Sequence, residues 1–296
     1  MLTVLFALSL AGPVEIHCDA AAGIRVCREL PVEEGGLLVA EVSGCDNPEL
    51  EWRRKPYSTH SVGDGKWHGL MPVPLNAPEG AHLLRARCGA RSAGFVVHVV
   101  PGDYESSELR VGRRFSKPPP PRVEGEREAI SVALHHEEAN RLWTQPFEIP
   151  RIDEITSPFG VRRVFNKVLQ SQHRGLDIDG RIGTEIRAAN DGVVVLAARN
   201  FFYVGNAVFL HHGQQLYSMY FHLSTLDVDT GDRVKRGQLI GAVGRTGRVT
   251  GPHLHFSVKL RGFYIDPVDV MAYRPAPMEA PLQVEGRRIV KRLGRR

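Results

Sequence analysis

A mainly β chain of two domains is the fold class the sequence predicts, and three observations carry that reading. Apolar runs of strand length recur in both halves of the 296 residues, bounded by Gly, Pro, Asn or Asp. Four consecutive prolines, Pro118 to Pro121, interrupt the chain between those halves. All four cysteines lie before that break.

Leu2 to Ala11 is an apolar run followed by Gly12-Pro13. It has the look of a secretory leader that lacks the preceding basic residues, and it is too short for a bilayer, which takes about 20 residues. A cleaved leader over residues 1–12 is therefore expected. In residues 13–104, Leu37 to Val42, Leu83 to Arg87 and Phe95 to Val100 read as short strands, which suggests a small immunoglobulin-like β-sandwich. Cys18, Cys27, Cys45 and Cys88 show no C-x-x-C spacing. Two disulfides, and hence an oxidising compartment, explain them better than a structural metal. Of the three pairings that four cysteines allow, the most local is preferred: Cys18–Cys27 with Cys45–Cys88.

Residues 105–149 read as a linker. Arg113 to Arg122 favours stiff polyproline II geometry, and Glu124 to Trp143, charged and free of proline, predicts a connecting helix. Within it, His136-Glu137-Glu138-Ala139-Asn140 begins like an H-E-x-x-H zinc helix, but Asn140 stands where the second His would be. That stretch is assigned to charged helix surface. From 150 to 273 the runs Gly192 to Ala198, Ala207 to His211, Leu216 to Phe221, Leu239 to Val243 and His255 to Leu260 predict an antiparallel sheet or barrel. The tail, 274–296, is basic: from Pro281 to Arg296 six Arg or Lys against Glu285 make +5, equal to the chain's formal net charge. Such a tail is either a solvated terminus or a salt-sensitive contact with anionic wall polymers or lipid headgroups. Nucleic acid is not expected as a partner, because no stacking aromatics are interleaved.

The chain has thirteen histidines, and most lack ligand spacing. His17, His60, His68, His82 and His98 are scattered, His135-His136 falls in the charged stretch, and His211-His212 ends a strand before a turn glycine. Gly251-Pro252-His253-Leu254-His255 differs. Side chains alternate along a strand, so His253 and His255 share one face while Leu254, Phe256 and Val258 take the core side. Ser257 follows the histidines. With His173-Arg174-Gly175-Leu176-Asp177 they offer imidazole and carboxylate groups suited to zinc. Three protein ligands would leave a position open, as in catalytic rather than structural sites.

Ordered motifs extend this from Ser157 to Asp269: Ser157-Pro158-Phe159-Gly160-Val161-Arg162, His173-Arg174-Gly175-Leu176-Asp177, Ala188-Ala189-Asn190-Asp191-Gly192, Gly205-Asn206, His212-Gly213, Tyr220-Phe221-His222-Leu223, Gly231-Asp232-Arg233-Val234, Gly237-Gln238-Leu239-Ile240-Gly241, Thr246-Gly247 and Asp266-Pro267. Together with the His-Leu-His segment, this series resembles the LytM/lysostaphin-type zinc endopeptidases of peptidoglycan. The resemblance implies an antiparallel catalytic sheet with one Zn²⁺ in a groove, held by His173, Asp177 and His255. It implies that His222 and His253 handle protons or polarise the substrate carbonyl; His222 is the preferred base, with the two roles exchangeable. Such a zinc ion lowers the pKa of bound water to about 7, and a histidine near its ordinary pKa suits the proton transfer.

The function expected is therefore zinc-dependent hydrolysis of peptide cross-links of peptidoglycan, in the periplasm or outside the cell. The bond is D-Ala–diaminopimelate by preference, with glycine bridges as the other choice. The alternative is a non-hydrolytic or latent LytM-type regulator of another wall hydrolase, in some of which zinc ligands are missing; none of the five positions is missing here. Asn206 and Arg162 are the polar residues expected to touch stem-peptide substrate, and Phe202 and Tyr203 either wall the cleft or pack.

Overall fold

The computed structural model describes residues 15–108, 121–136, 140–165 and 168–276. The expected leader, most of the proline-rich run and the basic tail beyond residue 276 lie outside the described residues. Nine strands pair along one path. It runs Glu15–Ala21, Ile24–Leu30, Leu37–Ser43, Lys66–Pro72, Lys55–Gly63, Glu49–Trp52, Gly80–Cys88, Arg91–Val100 and Val32–Glu33. The sandwich expected here takes the form of a sheet curled over on itself. Val26, Leu38 and Val42 from one half and Leu84, Phe95 and Val97 from the other enclose the same core around Trp52. Arg91–Val100 shows the driving pattern plainly, with Ala93, Phe95, Val97 and Val99 buried and the residues between them exposed. The disulfides are Cys18–Cys27, between directly opposed residues of neighbouring strands, and Cys45–Cys88. The preferred pairing is the one found.

Between the two β units, Ser106–Glu108 runs parallel to Arg162–Phe165, and a helix spans Arg122–Ala133. That helix stops well short of Trp143, the end expected for it. The reason is Trp143 itself, which is buried and packs edge-on against Phe147 at 5.0 Å and Tyr273 at 5.8 Å. To deliver it there the chain crosses Gly213, with the Leu142 amide donating to the His212 carbonyl at 3.0 Å. His135 and His136 follow the helix as exposed turn residues, and 137–139 lie outside the described residues.

The C-terminal sheet is antiparallel throughout. Its order is Ile155–Ser157, Leu176–Asp179, His253–Leu260, Leu216–Leu223, Gly205–His211, Gly192–Phe201 and Arg233–Val234, with Phe263–Ile265 pairing His253–Leu260. A second, three-stranded sheet of Glu185–Arg187, Leu239–Ala242 and Thr225–Leu226 covers it. Leu254, Phe256, Tyr220, Val208 and Ile240 fill the core between them.

The two units share a contact surface. Val39, with Leu37 and Leu70 beside it, joins the C-terminal core. Tyr273, just after the helix Pro267–Ala272, places its hydroxyl 2.9 Å from His60 Nε2 and 2.9 Å from His68 Nδ1. Arg261 donates to the Pro56 carbonyl at 3.0 Å.

Candidate active site

His255 sits in the middle of three adjacent strands, directly opposite Asp177 on one side and Phe221 on the other. Directly opposed residues share a face, so the carboxylate and the imidazole are brought together by register alone. His173 reaches the same point from the turn before Leu176–Asp179. His255 Nδ1 lies 2.7 Å from Asp177 Oδ1. His173 Nε2 lies 3.1 Å from that oxygen and 3.1 Å from His255 Nδ1.

The hydrogen-bond partners of the outer ring nitrogens fix the tautomers. His173 Nδ1 is 2.7 Å from the Pro158 carbonyl, which can only accept, so Nδ1 carries the proton and Nε2 a lone pair. On His255 the outer atom is Nε2, 2.7 Å from Ser257 Oγ. Ser257 is fully buried and donates its own proton to the Arg174 carbonyl at 2.8 Å. It therefore accepts from Nε2–H, and Nδ1 is left with the lone pair. The glycine of His173-Arg174-Gly175 allows this approach: a Cβ there would stand 2.6 Å from Ser257 Oγ and 2.9 Å from His255 Nε2.

Two imidazole lone pairs and a carboxylate thus converge on one point, an arrangement that demands a cation. Among the described residues, these three have ligand atoms that all lie within 4.8 Å of one another. Zinc bonds of about 2.0–2.2 Å set tetrahedral donors roughly 3.3–3.6 Å apart, somewhat beyond the 2.7 Å and 3.1 Å seen here. The donor set fits zinc. Burial raises the pKa of Asp177, but hydrogen bonds from His173 and His255, which need a ring proton on Nε2 or Nδ1 in place of the metal, outweigh it and hold the carboxyl well below the usual carboxylate range. Burial lowers the pKa of His255.

His222 and His253 flank this point, their rings 5.1 Å apart. His222 Nδ1–H donates to the Thr246 carbonyl at 3.0 Å, and His253 Nδ1–H to the Gly251 carbonyl at 2.9 Å. Each is left with a lone pair on Nε2; that of His253 is 3.7 Å from Asp177 Oδ1. Burial first, then the neighbouring His255 and His253, lowers the His222 pKa to about 3, so its ring is neutral. The His222 backbone is left-handed, at φ +68°, a strained conformation for a residue with a Cβ and one concentrated at functional sites. Its amide donates to the Val204 carbonyl at 2.9 Å. Phe221 stacks on His255 at 5.3 Å and 14° and closes one side.

The other expected site residues are occupied locally. The Asn206 amide donates to Thr246 Oγ1 at 2.8 Å, its Oδ1 accepts from the Asn200 amide at 2.9 Å, and its Nδ2 faces the Ser224 carbonyl at 3.5 Å. Arg162 pairs with Glu34 at 3.4 Å and lies over Tyr104. Phe202 packs edge-on against Tyr203, and Arg248 covers the Tyr203 ring at 4.7 Å. Sequence reasoning assigned no task to Thr246 or Ser257. The signal for Ser257 was its position two residues beyond His255, on the same strand face; Thr246 carried none beyond its motif.

Residues 171–267 match the model of Peptidase family M23. A stretch of 140 residues is 41% identical to the peptidoglycan DD-endopeptidase ShyA of Vibrio cholerae serotype O1, covering 47% of this chain and 32% of that protein. Over 128 residues the chain is 39% identical to the DD-carboxypeptidase/endopeptidase Mpg of Neisseria meningitidis serogroup B, covering 43% of this chain and 29% of that one. The chain spans about a third of the length of these curated relatives. A solved structure of a putative peptidase M23 from Pseudomonas aeruginosa superposes with a TM-score of 0.62 at 28% identity, over 82% of this chain and 95% of that one.

Proposed function

We propose that the chain, whose residues 171–267 match Peptidase family M23, is a zinc-dependent endopeptidase that cuts peptide cross-links of peptidoglycan. The observation that carries the reading is the convergence of the His173 and His255 lone pairs on Asp177, with His222 and His253 beside them. The names of the relatives add the substrate class. A DD-endopeptidase cuts between two D-configured centres, which favours D-Ala–diaminopimelate over glycine bridges. The non-hydrolytic alternative draws no support from a site in which all five side chains are present.

His173, Asp177 and His255 would hold the ion through Nε2, Oδ1 and Nδ1. Zinc supplies Lewis acidity there, polarising a carbonyl and making water acidic. His222, anchored through Nδ1–H to Thr246, offers Nε2 as the base that takes the proton of attacking water and returns it to the leaving amine; its pKa, lowered by burial to about 3, lies below the ordinary value expected of that base, so the role rests on the placement of Nε2. His253, anchored to Gly251, holds the water through its Nε2 lone pair; to stabilise an oxyanion it must carry a second proton. Asn206 and Arg162 would meet the stem peptide only with what their protein contacts leave over, the second amide hydrogen of Asn206 and the open edge of the guanidinium. Two disulfides, the leader-like run and a wall substrate together favour the periplasm or the extracellular space.

The test is release of new amines from purified diaminopimelate-type peptidoglycan by the full chain. Release that needs zinc, disappears with metal binding in His255→Ala, and disappears with metal retained in His222→Ala is the expected result. A zinc-loaded wild type that releases nothing from this wall or from a glycine-bridged one would sink the proposal.

A further inference from the structure

We propose that the N-terminal domain is the brace for the His173 arm of the metal site, with Tyr104 as the positioning residue. The inference rests on the reading of His173, Asp177 and His255 as metal ligands.

Asp177 and His255 lie opposite each other inside the main sheet, where neighbouring strands fix both. His173 does not. It follows a hairpin, Arg162–Phe165 with Val168–Gln172, whose sheet has, among the described residues, only one other strand, Ser106–Glu108, the chain leaving the N-terminal domain. The Arg162 amide donates to the Glu105 carbonyl at 2.8 Å, at the start of that pairing. The segment leading into the hairpin grips His173 from one side. Pro158 accepts from the ring at 2.7 Å, with Ser157 Oγ at 3.2 Å beside it. The Gly160 amide donates to the His173 carbonyl at 2.9 Å, and the His173 amide to the Val161 carbonyl at 2.9 Å.

The N-terminal domain presses on the other side of the same segment. The Tyr104 ring lies on Gly160, where a Cβ would collide with it and where φ is +84°. It meets Phe159, itself buried, edge-on at 6.3 Å. Its hydroxyl donates to the Glu34 carbonyl, and the Glu34 carboxylate reaches Arg162 at 3.4 Å. The ligand arm is thus a thin layer held between His173 and the first domain. The hydrogen bonds described for His222, His253 and His255 all stay within the C-terminal half. The first domain therefore acts on one ligand and leaves the others to the sheet. It is a support rather than a lock.

The experiment uses the full chain and reads three quantities: zinc Kd by chelator competition, the visible spectrum of the cobalt(II) form, and the melting temperature of the metal-free protein. Tyr104→Ala should weaken zinc binding about tenfold, in the range typical for partners behind a ligand, and change the cobalt spectrum. Tyr104→Phe, which keeps the ring on Gly160, should restore most of the affinity. Arg261→Ala breaks the remote contact with Pro56 and should leave both metal readouts unchanged. Arg162→Ala, at a half-exposed position, should weaken zinc binding by a smaller factor and decides the matter if Tyr104→Ala does not fold. The brace is overturned if the alanine variants at 104 and 162 bind zinc like wild type, or if Arg261→Ala weakens it equally. A wild type that binds no zinc would instead overturn the metal-site reading beneath it.

Discussion

Replacing Ser257 with alanine leaves His255 in the sheet and removes the oxygen that accepts from its Nε2–H at 2.7 Å. Ser257 is fully buried, so no water takes over, and Gly175 closes the space beside it. A buried donor left without its acceptor costs about 1–3 kcal/mol. The Arg174 carbonyl loses its donor at the same time. Part of this cost falls on the metal-free fold. The rest falls on the bound state, because without Ser257 the ring no longer prefers the tautomer that presents Nδ1 toward Asp177. Partners of this kind contribute about 10- to 100-fold in metal affinity, or roughly 1.4–2.7 kcal/mol. Zinc Kd measured by competition with a chromophoric chelator should rise by that factor, while circular dichroism shows an unchanged β fold. Ser257→Thr, which keeps the hydroxyl, should lose much less. Equal zinc affinity for wild type and a folded Ser257→Ala would refute the claim that the serine sets the tautomer of His255.

Three further outcomes follow from the geometry. At His222, whose φ is +68°, glycine should be more stable than alanine by about 1 kcal/mol, the reverse of the usual order within a strand, as read by urea unfolding of the metal-free variants. Burial lowers the His60 pKa from 6.5 to about 3, so its contribution is fully present above pH 6.5 and is lost as pH falls toward 3, at up to about 1.4 kcal/mol per pH unit. His60→Gln should flatten the fall in stability below pH 6.5 by about that slope, and an unchanged slope would count against a neutral His60. Cys45–Cys88 closes a separation of 43 residues and Cys18–Cys27 one of 9. By chain entropy, removing the former by double alanine substitution should cost about 4 kcal/mol against about 2.6 for the latter, measured by urea denaturation.

The strand period made the essential part of the site legible. Leu254, Phe256 and Val258 are buried, as an alternating segment requires, and His253 and His255 share the opposite face. What stayed hidden depends on partners remote in sequence. Ser257 acquires its task from the Arg174 carbonyl, 83 residues away, and Arg162 meets Glu34 at a separation of 128. No local pattern encodes either contact. The helix ended early for a similar reason, because part of the pull on Trp143 comes from Tyr273, far along the chain. His60 and His68 looked scattered because strand pairing, not spacing, sets them side by side.

The seat of Tyr273 between those two histidines also bears on the order in which the molecule can be completed. A polypeptide is made and exported from its N-terminus, so the first β domain is available to fold while most of the chain has yet to arrive. His60 and His68 are then present without the hydroxyl that both contact in the finished protein. That hydroxyl follows the last described helix, Pro267–Ala272. The early domain can form its own core at once, but this part of its surface is finished only when the end of the C-terminal domain reaches it. A chain cut before Tyr273 would keep all five candidate active-site side chains and still leave His60 and His68 without that hydroxyl.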